Sequence, residues 1–231
     1  MNPGKLVCAS ILVTLGLFAP GCAVDTGDAA VSIDEENVAE SAAALSVDHV
    51  SPVDNVEVWD SGNTNSLSAW MSINCATTYR GGNDNYMLTD LTAFQEPTTN
   101  FDNFIGKMDG SCTDHTTSGN ETGTVETDNI FTGSWRAGGS TVSSATNHVP
   151  IGVKLRVYGG IGPSYVKDIA IGHTLPTFGA ATTWSSFALG YSGDEVTATC
   201  DPGKVMTGLR LKYNTDNGKI QHVQIFCRAY S

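Results

Sequence analysis

The chain has 231 residues and a formal net charge of −12, from 12 Lys and Arg against 24 Asp and Glu. This acidic balance excludes nucleic acid as a partner, because a phosphate backbone is bound by clustered basic residues. One apolar run excludes a membrane protein with several spans, while a hydrophobic content of 40% suffices for a packed core. The composition, with 25 glycines, predicts an acidic all-β protein.

The first element is predicted to be an export signal. Residues 6–19 form an apolar run of 14 residues after Lys5, too short to span a bilayer and typical of a secretory signal. Ala19-Pro20-Gly21-Cys22 resembles a bacterial lipoprotein cleavage box, which predicts cleavage before Cys22 and a lipid on its sulfur. The alternative is ordinary cleavage nearby, such as after Ala23.

The rest of the chain divides into a tether and a folded region. Residues 23–48 are acidic and lack aromatic side chains, so we expect a flexible tether after the 1–22 signal peptide. Residues 49–231 form the predicted domain. The predicted location is outside the cytosol, either extracellular or as a lipoprotein of the outer membrane or cell surface. Any membrane contact is expected only through the lipid anchor.

Four cysteines belong to the folded region: Cys75, Cys112, Cys200 and Cys227. An even number in an exported chain predicts two disulfides. Four cysteines allow three pairings, and composition does not choose among them. No CxxC or HxxxH spacing is present, so no metal site is predicted.

Three segments read as strand, turn and strand: 87–112, 150–173 and 200–227. In the third, Leu209 and Leu211 alternate with Arg210 and Lys212, and Asn217-Gly218 is typical of a tight hairpin turn. The alternation slips once after Ile220, which indicates a β-bulge. The other segments contain matching stretches: Leu88-Thr-Asp-Leu resembles Met206-Thr-Gly-Leu, Gly152-Val-Lys-Leu-Arg resembles Gly208-Leu-Arg-Leu-Lys, and Val166-Lys-Asp-Ile resembles Ile220-Gln-His-Val.

These matches predict three repeats, at about 49–115, 116–175 and 176–231, with a tryptophan before each match: Trp70, Trp135 and Trp184. Strand-rich repeats of this size suggest sheets around a pseudo-symmetry axis. If the repeat holds, the disulfides are Cys75–Cys112 and Cys200–Cys227, a local bridge in each outer repeat. The alternative is that unrelated antiparallel hairpins look alike.

The stretch from Cys200-Asp-Pro-Gly to Cys227 resembles the repeat unit of the vitelline membrane outer layer protein I family. The similarity is strongest over 184–231 and fainter over 135–173 and 59–112. It implies a β-prism of three Greek-key antiparallel sheets, an architecture shared with jacalin-related lectins. At Gly218 of this segment the sugar motif Gly-x-x-x-Asp of those lectins is not matched, because His222 stands four positions later.

No catalytic motif is present: the sequence lacks HExxH, GxGxxG, a P-loop and GxSxG. We therefore predict no enzyme activity and no cofactor. Close acidic sets, which could serve glycoside hydrolysis, are more plausibly turns or solvated loops: Asp194-Glu195, Asp109 with Asp114, and Asp84 with Asp90. His222, at a polar position of a strand, is predicted to be a solvated surface residue.

Aromatic rings beside Asn- and Asp-rich turns suit sugar recognition, because sugars combine an apolar face with many hydroxyls. The candidate ligand-binding residues are Trp135, Trp184, Asp84, Asn85, Asp216 and Asn217. The alternative is that each tryptophan fills the core of its own sheet, which recurrence in every repeat favours.

The predicted function is non-catalytic, lectin-like binding of carbohydrate or a cell-surface glycan. Two alternatives stay open. One is a structural or adhesive surface-layer protein without a small ligand, and the other is a glycan-acting enzyme that uses loop carboxylates.

Overall fold

A computed structural model describes residues 47–48, 52–75, 86–96, 103–115, 126–131, 138–159 and 164–230. They lie in the compact unit Glu40–Ser231. The predicted signal peptide, Cys22 and nearly all of the predicted tether lie outside the described residues. Among those that are described, no helix has the length and apolar character that crossing a membrane requires.

The described residues form twelve strands in three four-stranded antiparallel sheets. Sheet I has the order β5-β4-β3-β6, with β3 at Tyr86–Gln95, β4 at Ile105–Asp114, β5 at Glu126–Phe131 and β6 at Ser140–Ser143. Sheet II has the order β10-β7-β8-β9, with β7 at Val149–Tyr158, β8 at Tyr165–Thr174, β9 at Thr183–Trp184 and β10 at Asp194–Thr199. Sheet III has the order β1-β12-β11-β2, with β1 at Asp54–Asp60, β2 at Met71–Asn74, β11 at Lys204–Tyr213 and β12 at Ile220–Ala229.

Each sheet is a Greek key, with a long central hairpin flanked by a third and a fourth strand. In sheets I and II the four strands follow one another along the chain. Sheet III combines the last hairpin with the first two strands, and a bridge between Val47 and Tyr230 extends this closure. The predicted β-prism of three Greek-key sheets is therefore confirmed, but the sheets do not coincide with the predicted repeats, since strands of 49–115 enter both sheet III and sheet I.

The three central hairpins share two irregularities of register. In the first strands the extra residues are Thr89, Ile151 and Thr207, each directly before a residue of the sequence match, Asp90, Gly152 or Gly208. In the second strands the extra residues are Gly106, Lys167 and Gln221. The bulge predicted after Ile220 is thus confirmed, and bulges at matching positions in all three hairpins indicate one repeated structural unit.

The core lies between the sheets, because the apolar side chains of every hairpin alternate toward the same interior. One buried cluster draws on all three sheets and includes Ile73, Leu91, Ile105, Leu155, Ile169, Leu209 and Ile225. At each end of this cluster lie residues from matching positions of the three hairpins. Met87, Val149 and Val205 belong to a second buried cluster at the open end of the hairpins. At the turn end the Nζ of Lys219 lies 4.1 Å from the ring centroid of Tyr165 and 5.5 Å from that of Phe104.

The predicted disulfides Cys75–Cys112 and Cys200–Cys227 are both present. Each lies within one predicted outer repeat, 49–115 or 176–231, as expected, and each also joins two different sheets. Cys75 follows β2 of sheet III and bonds to β4 of sheet I, while Cys200 follows β10 of sheet II and bonds to β12 of sheet III. The disulfides therefore close two of the three seams between sheets.

Gly152 is required by the close approach of β10 to β7. A Cβ there would lie 2.3 Å from the carbonyl oxygen of Ala198 and 2.9 Å from the Cα of Thr199, both backbone atoms. We expect Gly152→Ala to lower the free energy of unfolding by about 2 to 3 kcal/mol, because β10 has to shift. Gly179→Ala is the control, since its Cβ would meet only the Thr177 oxygen at 4.0 Å. Urea denaturation measures both, and equal stabilities would contradict the required glycine.

Candidate functional site

The outer face of sheet III carries a group of polar and aromatic side chains that contact one another. Arg210 and Lys212 point outward from β11 because Leu209 and Leu211, between and before them, are buried. Across the hairpin, Arg210 pairs with Gln224 and Lys212 with His222. We call this face, with Trp70, Glu57 and Asp60, the Trp70 face.

A bulge in β1 completes the Trp70 face. Glu57 pairs with Gln224 and Asp60 with His222, although Glu57 and Asp60 are three positions apart and a regular strand would point them to opposite sides. The extra residue, Val58, is buried and restores the alternation. Two carboxylates therefore share one face with His222.

Trp70 stands directly before the edge strand β2 and lies over this face. Its ring centroid is 4.4 Å from Arg210 Cζ and 4.8 Å from Lys212 Nζ. The His222 ring lies 4.6 Å away, tilted by 59°. Cations under an aromatic ring attract its negative face, so the half-buried ring is held in position while part of it stays accessible.

Hydrogen bonds order the polar groups around the ring. Arg210 donates from Nε and Nη2 to Gln224 Oε1, at 2.8 and 2.6 Å. His222 Nε2 lies 3.2 Å from Glu57 Oε2 and 3.4 Å from Gln224 Nε2, so it has an acceptor and a donor beside it. Asp60 Oδ1 accepts from the Gly62 amide at 2.8 Å.

Glu57, Asp60 and His222 could together hold a divalent cation, because one ligand atom from each lies within 4.8 Å of the others. The side chains of Glu57 and Asp60 are 57% and 42% exposed, that of His222 only 14%. Arg210 and Lys212 share this face and oppose a cation electrostatically. The same three groups also form a hydrogen-bonded acid–histidine contact without a metal.

The equivalent face of sheet II is covered by the chain itself. At the position of His222 stands Asp168, fully buried, which accepts from the backbone amides of Ile169, Leu189 and Tyr191 at 2.8 to 2.9 Å. The ring centroid of Phe187 lies 3.8 Å from Arg156 Cζ. The segment 185–191 therefore occupies the space that stays open on sheet III.

The equivalent position on sheet I holds Lys107. Its Nζ lies 4.5 Å from the Phe94 ring centroid and 2.9 Å from Asp109 Oδ2. This cation already has an aromatic and an acidic partner within its own sheet. On the described part of the sheet I face, Lys107 and Asp109 thus form an ion pair with each other.

Trp184 lies on the outer side of sheet II, not in the core. Its ring packs on Gly172, where an added Cβ would meet it at 2.7 Å, and Lys154 Nζ lies 5.0 Å from the ring centroid. Trp70 is placed comparably on sheet III. The interpretation of each tryptophan as the core residue of its sheet is wrong for both, because the cations at alternate positions of β7 and β11 attract a ring to the outer side.

The other predicted ligand residues do not gather around Trp184. Asp216 and Asn217 lie in the β11–β12 turn, where Asn217 Oδ1 accepts from the Lys219 amide at 3.0 Å. Trp184 pairs with Gly172, which lies seven residues along β8 from Tyr165 at the turn end of the β7–β8 hairpin. At the spacing of a strand, Trp184 is therefore roughly 23 Å from that turn end. Trp135, Asp84 and Asn85 lie outside the described residues. The binding role of all six stays a prediction.

Two members of the acidic sets that could have served hydrolysis, Glu195 and Asp109, are engaged in ion pairs. Glu195 accepts from Arg156 Nη2 at 3.0 Å and lies 3.6 Å from Lys154 Nζ, which joins β10 to β7. Asp109 is paired with Lys107.

A cavity of about 180 Å³ opens beside sheet II, lined by Ile151, Thr174, Phe178, Thr182, Cys200 and Asp201 among others. Ligand pockets commonly measure about 300 to 1,000 Å³. The cavity is therefore small for a disaccharide, and the Trp70 face is the better candidate site.

Sequence reasoning named the residues of this face only separately, Trp70 as a repeat marker and His222 as a surface residue. Glu57 and Asp60 were not singled out. The available signal was the alternation of basic residues with Leu209 and Leu211, which marks the outward side of β11. That β1 and β2 flank this hairpin is a long-range property which no local pattern contains.

No protein-family model matches the sequence, and no curated protein is similar to it in sequence. Solved structures are similar in chain path. The Calystegia sepium agglutinin is 11% identical, with a TM-score of 0.49, covering 78% of this chain and 98% of that one. A mannose-binding jacalin-related lectin from Ananas comosus is 12% identical (TM-score 0.44; 78% and 100% covered). A prostate-specific WGA16 glycoprotein lectin is 8% identical (TM-score 0.42; 75% and 97% covered). At these identities the likeness concerns the fold alone.

Proposed function

We propose that this protein binds carbohydrate without catalysis and that the Trp70 face is its binding surface. The observation that carries the proposal is the Trp70 ring on a face that also presents Glu57, Asp60 and His222. Sugars offer an apolar face to an aromatic ring and hydroxyls to planar polar groups. The Trp70 face supplies both.

The state of the other outer faces supports this choice. Segment 185–191 covers that of sheet II, and the described part of sheet I pairs Lys107 with Asp109. On sheet III the two carboxylate side chains remain exposed to solvent, at 57% for Glu57 and 42% for Asp60. Groups that stay hydrated on a rigid sheet can exchange water for sugar hydroxyls without rearranging the fold.

The proposal of binding without turnover rests on the openness of the same face. Glycoside hydrolysis uses two carboxyl groups on either side of a bound sugar, in a site that holds the sugar ring in a distorted conformation. Glu57 and Asp60 are close enough to each other for such chemistry, but they stand on an open sheet. We therefore expect sugars recovered from the protein to be unchanged.

Export, the lipid on Cys22 and kinship with the vitelline membrane outer layer protein I family are parts of the same proposal. Two disulfides in the fold support an oxidising compartment. The Cys200–Cys227 segment supports the kinship, since its two bulges recur in the other hairpins. The partner we propose is a glycan at or near the cell surface.

A structural or adhesive surface protein without a small ligand is the second candidate. The disulfides between sheets and the covered face of sheet II favour it, because both stabilise the scaffold rather than a site. The two functions differ in whether sugar is retained.

A glycan array with the folded protein tests the proposal. We expect Trp70→Ala to weaken retention about tenfold or more, because the ring supplies the apolar contact. Trp184→Ala is the matched control, a comparable ring over Lys154 on sheet II, and should bind as the native protein does. Mass spectrometry of the eluted sugars checks for turnover.

Three other results would indicate a different site or a different function. Loss of binding in Trp184→Ala alone, or in Asp216→Ala with Asn217→Ala, would move the site to those residues. No retention of any glycan at high density would leave the structural function. If the native protein shortens the sugars and the Glu57→Gln variant leaves them intact, the protein is an enzyme.

A further inference from the structure

The seam between sheets I and II differs from the two other seams. Cys75 and Cys200 each directly follow the fourth strand of a sheet, and the residue in that position after β6 is Ser144. The backbone confirms the equivalence. The amide of Cys200 donates to the carbonyl oxygen of the bulge residue Ile151 at 2.7 Å. The amide of Ser144 donates to the carbonyl oxygen of the matching bulge residue Thr89 at 2.9 Å.

The bonding partners are equivalent as well. Cys112 and Cys227 pair across their hairpins with the residue just before the bulge, and the residue so placed in sheet II is His173. Ser144 and His173 therefore occupy the position that a disulfide occupies in the other seams.

This position holds unpaired polar atoms. Ser144 Oγ and His173 Nδ1 are buried, and neither has a hydrogen-bond partner among the described residues. His173 is only 4% exposed. The ring of His148, on the connection from Ser144 to β7, stands edge-on to it at 5.2 Å between centroids.

His148 is oriented by the backbone of the same connection. Its Nδ1 lies 3.0 Å from the Thr146 carbonyl oxygen, to which it donates. Burial first, and then His148, lower the pKa of His173 below its ordinary value. At neutral pH His173 is therefore uncharged, in keeping with a buried ring that has no acid beside it in the described structure.

The sheet II strand at this seam is also shorter than its counterparts at the two other seams. This strand, β9, has two residues, whereas β1 and β5, the third strands of the other sheets, have seven and six. Contact between sheets I and II is made by β3, β4 and β6 against the β7–β8 hairpin of sheet II.

We propose that the seam between sheets I and II is an acid-sensitive joint, in which the uncharged side chains of Ser144, His173 and His148 are packed at the position where the two other seams carry disulfides. A proton on His173 places a charge in a buried site beside His148, the titratable group that faces it. The energetically cheapest response is to expose His173 by separating β6 from β8. The other seams stay covalently closed, so the prism opens on one side.

The direction of the pH dependence follows from the lowered pKa of His173 in the folded state. Between that value and the ordinary value of about 6.5, the unfolded or opened chain binds more protons than the closed one. Stability of the seam is therefore complete above about pH 6.5 and falls as the pH drops through the folded value.

Hydrogen exchange by strand, at about pH 7.5 and about pH 5 and corrected for intrinsic rates, tests the joint. We expect the amides of β6 and β9 to lose at least about tenfold protection in acid relative to those of β11 and β12. His173→Gln should abolish this difference, while His222→Gln, a histidine on the Trp70 face, should keep it. A uniform response, no response, or an unchanged response in His173→Gln would overturn the proposal.

Ser144→Cys with His173→Cys provides the second arm. We expect these cysteines to form a third disulfide, seen as a loss of two hydrogens in mass spectrometry, and the acid response of β6 and β9 to disappear. If the pair stays reduced under conditions that oxidise the native cysteines, the equivalence of the three seams is wrong.

Discussion

Asp168→Ala should destabilise the protein by about 3 to 5 kcal/mol, because it leaves three backbone amides without their acceptor. The native carboxylate is fully buried and accepts from Ile169, Leu189 and Tyr191. Each buried donor left unpaired costs about 1 to 3 kcal/mol, and two of the three hold segment 185–191 on sheet II. Urea denaturation gives the loss, and hydrogen exchange should show Leu189 and Tyr191 unprotected.

Two variants make this test specific. Asp168→Asn keeps one acceptor oxygen, so we expect it to lose less than the alanine variant. Asp194→Ala, an exposed acid at the start of β10, should stay within about 0.5 kcal/mol of the native protein. A stability of Asp168→Ala equal to that of Asp194→Ala would show that the segment is held by other contacts.

Reduction of both disulfides should remove about 7 kcal/mol from the free energy of unfolding. The cystines close loops of 37 and 27 residues, for which loop entropy gives about 3.5 to 4 kcal/mol each. That sum is comparable to the whole stability of an ordinary domain, about 5 to 15 kcal/mol. We expect the melting temperature to fall by about 15 to 25 °C.

Calorimetry of the reduced and alkylated protein measures the effect, with alkylation without reduction as the control. Cys75→Ser with Cys112→Ser and Cys200→Ser with Cys227→Ser divide it between the two seams. Either pair of substitutions without a change in melting temperature would mean that the sheets of that seam are held by packing alone.

One scaffold position shows how the repeated unit has diverged. Lys107, Asp168 and His222 occupy the same place on the second hairpin strands of sheets I, II and III. Lysine forms a pair within its sheet, aspartate binds a covering segment, and histidine lies beside Trp70. The scaffold thus tolerates different chemistry outside each sheet while its core stays alike.

Much of this fold could be read from local patterns. The alternation around Leu209 and Leu211 marks a strand with one buried side, and Asn217-Gly218 marks its turn. The match of Met206-Thr-Gly-Leu with Leu88-Thr-Asp-Leu aligns two hairpins, including the bulge before Gly208 and Asp90. These signals are short-range, because strand alternation and turn geometry depend on neighbours along the chain.

The candidate site was beyond such patterns. Glu57 and Asp60 share a face only because Val58 bulges, and they approach His222 only because β1 adds to the last hairpin. The outward position of Trp70 and Trp184 has a related reason. Recurrence in the repeats favours a core position, but whether a ring lies inside or outside a sheet depends on the cations across from it.

The sequence by itself therefore determined the strand class, the three hairpins and the bulge after Ile220, and the repeat that it suggests predicted the pairing of the cysteines. Only the tertiary structure decided which sheets the disulfides join, that the chain ends close sheet III, and which outer face stays open. The reason is physical: spacing along a strand sets which side a residue faces, whereas contacts between strands distant in the chain set what it meets there.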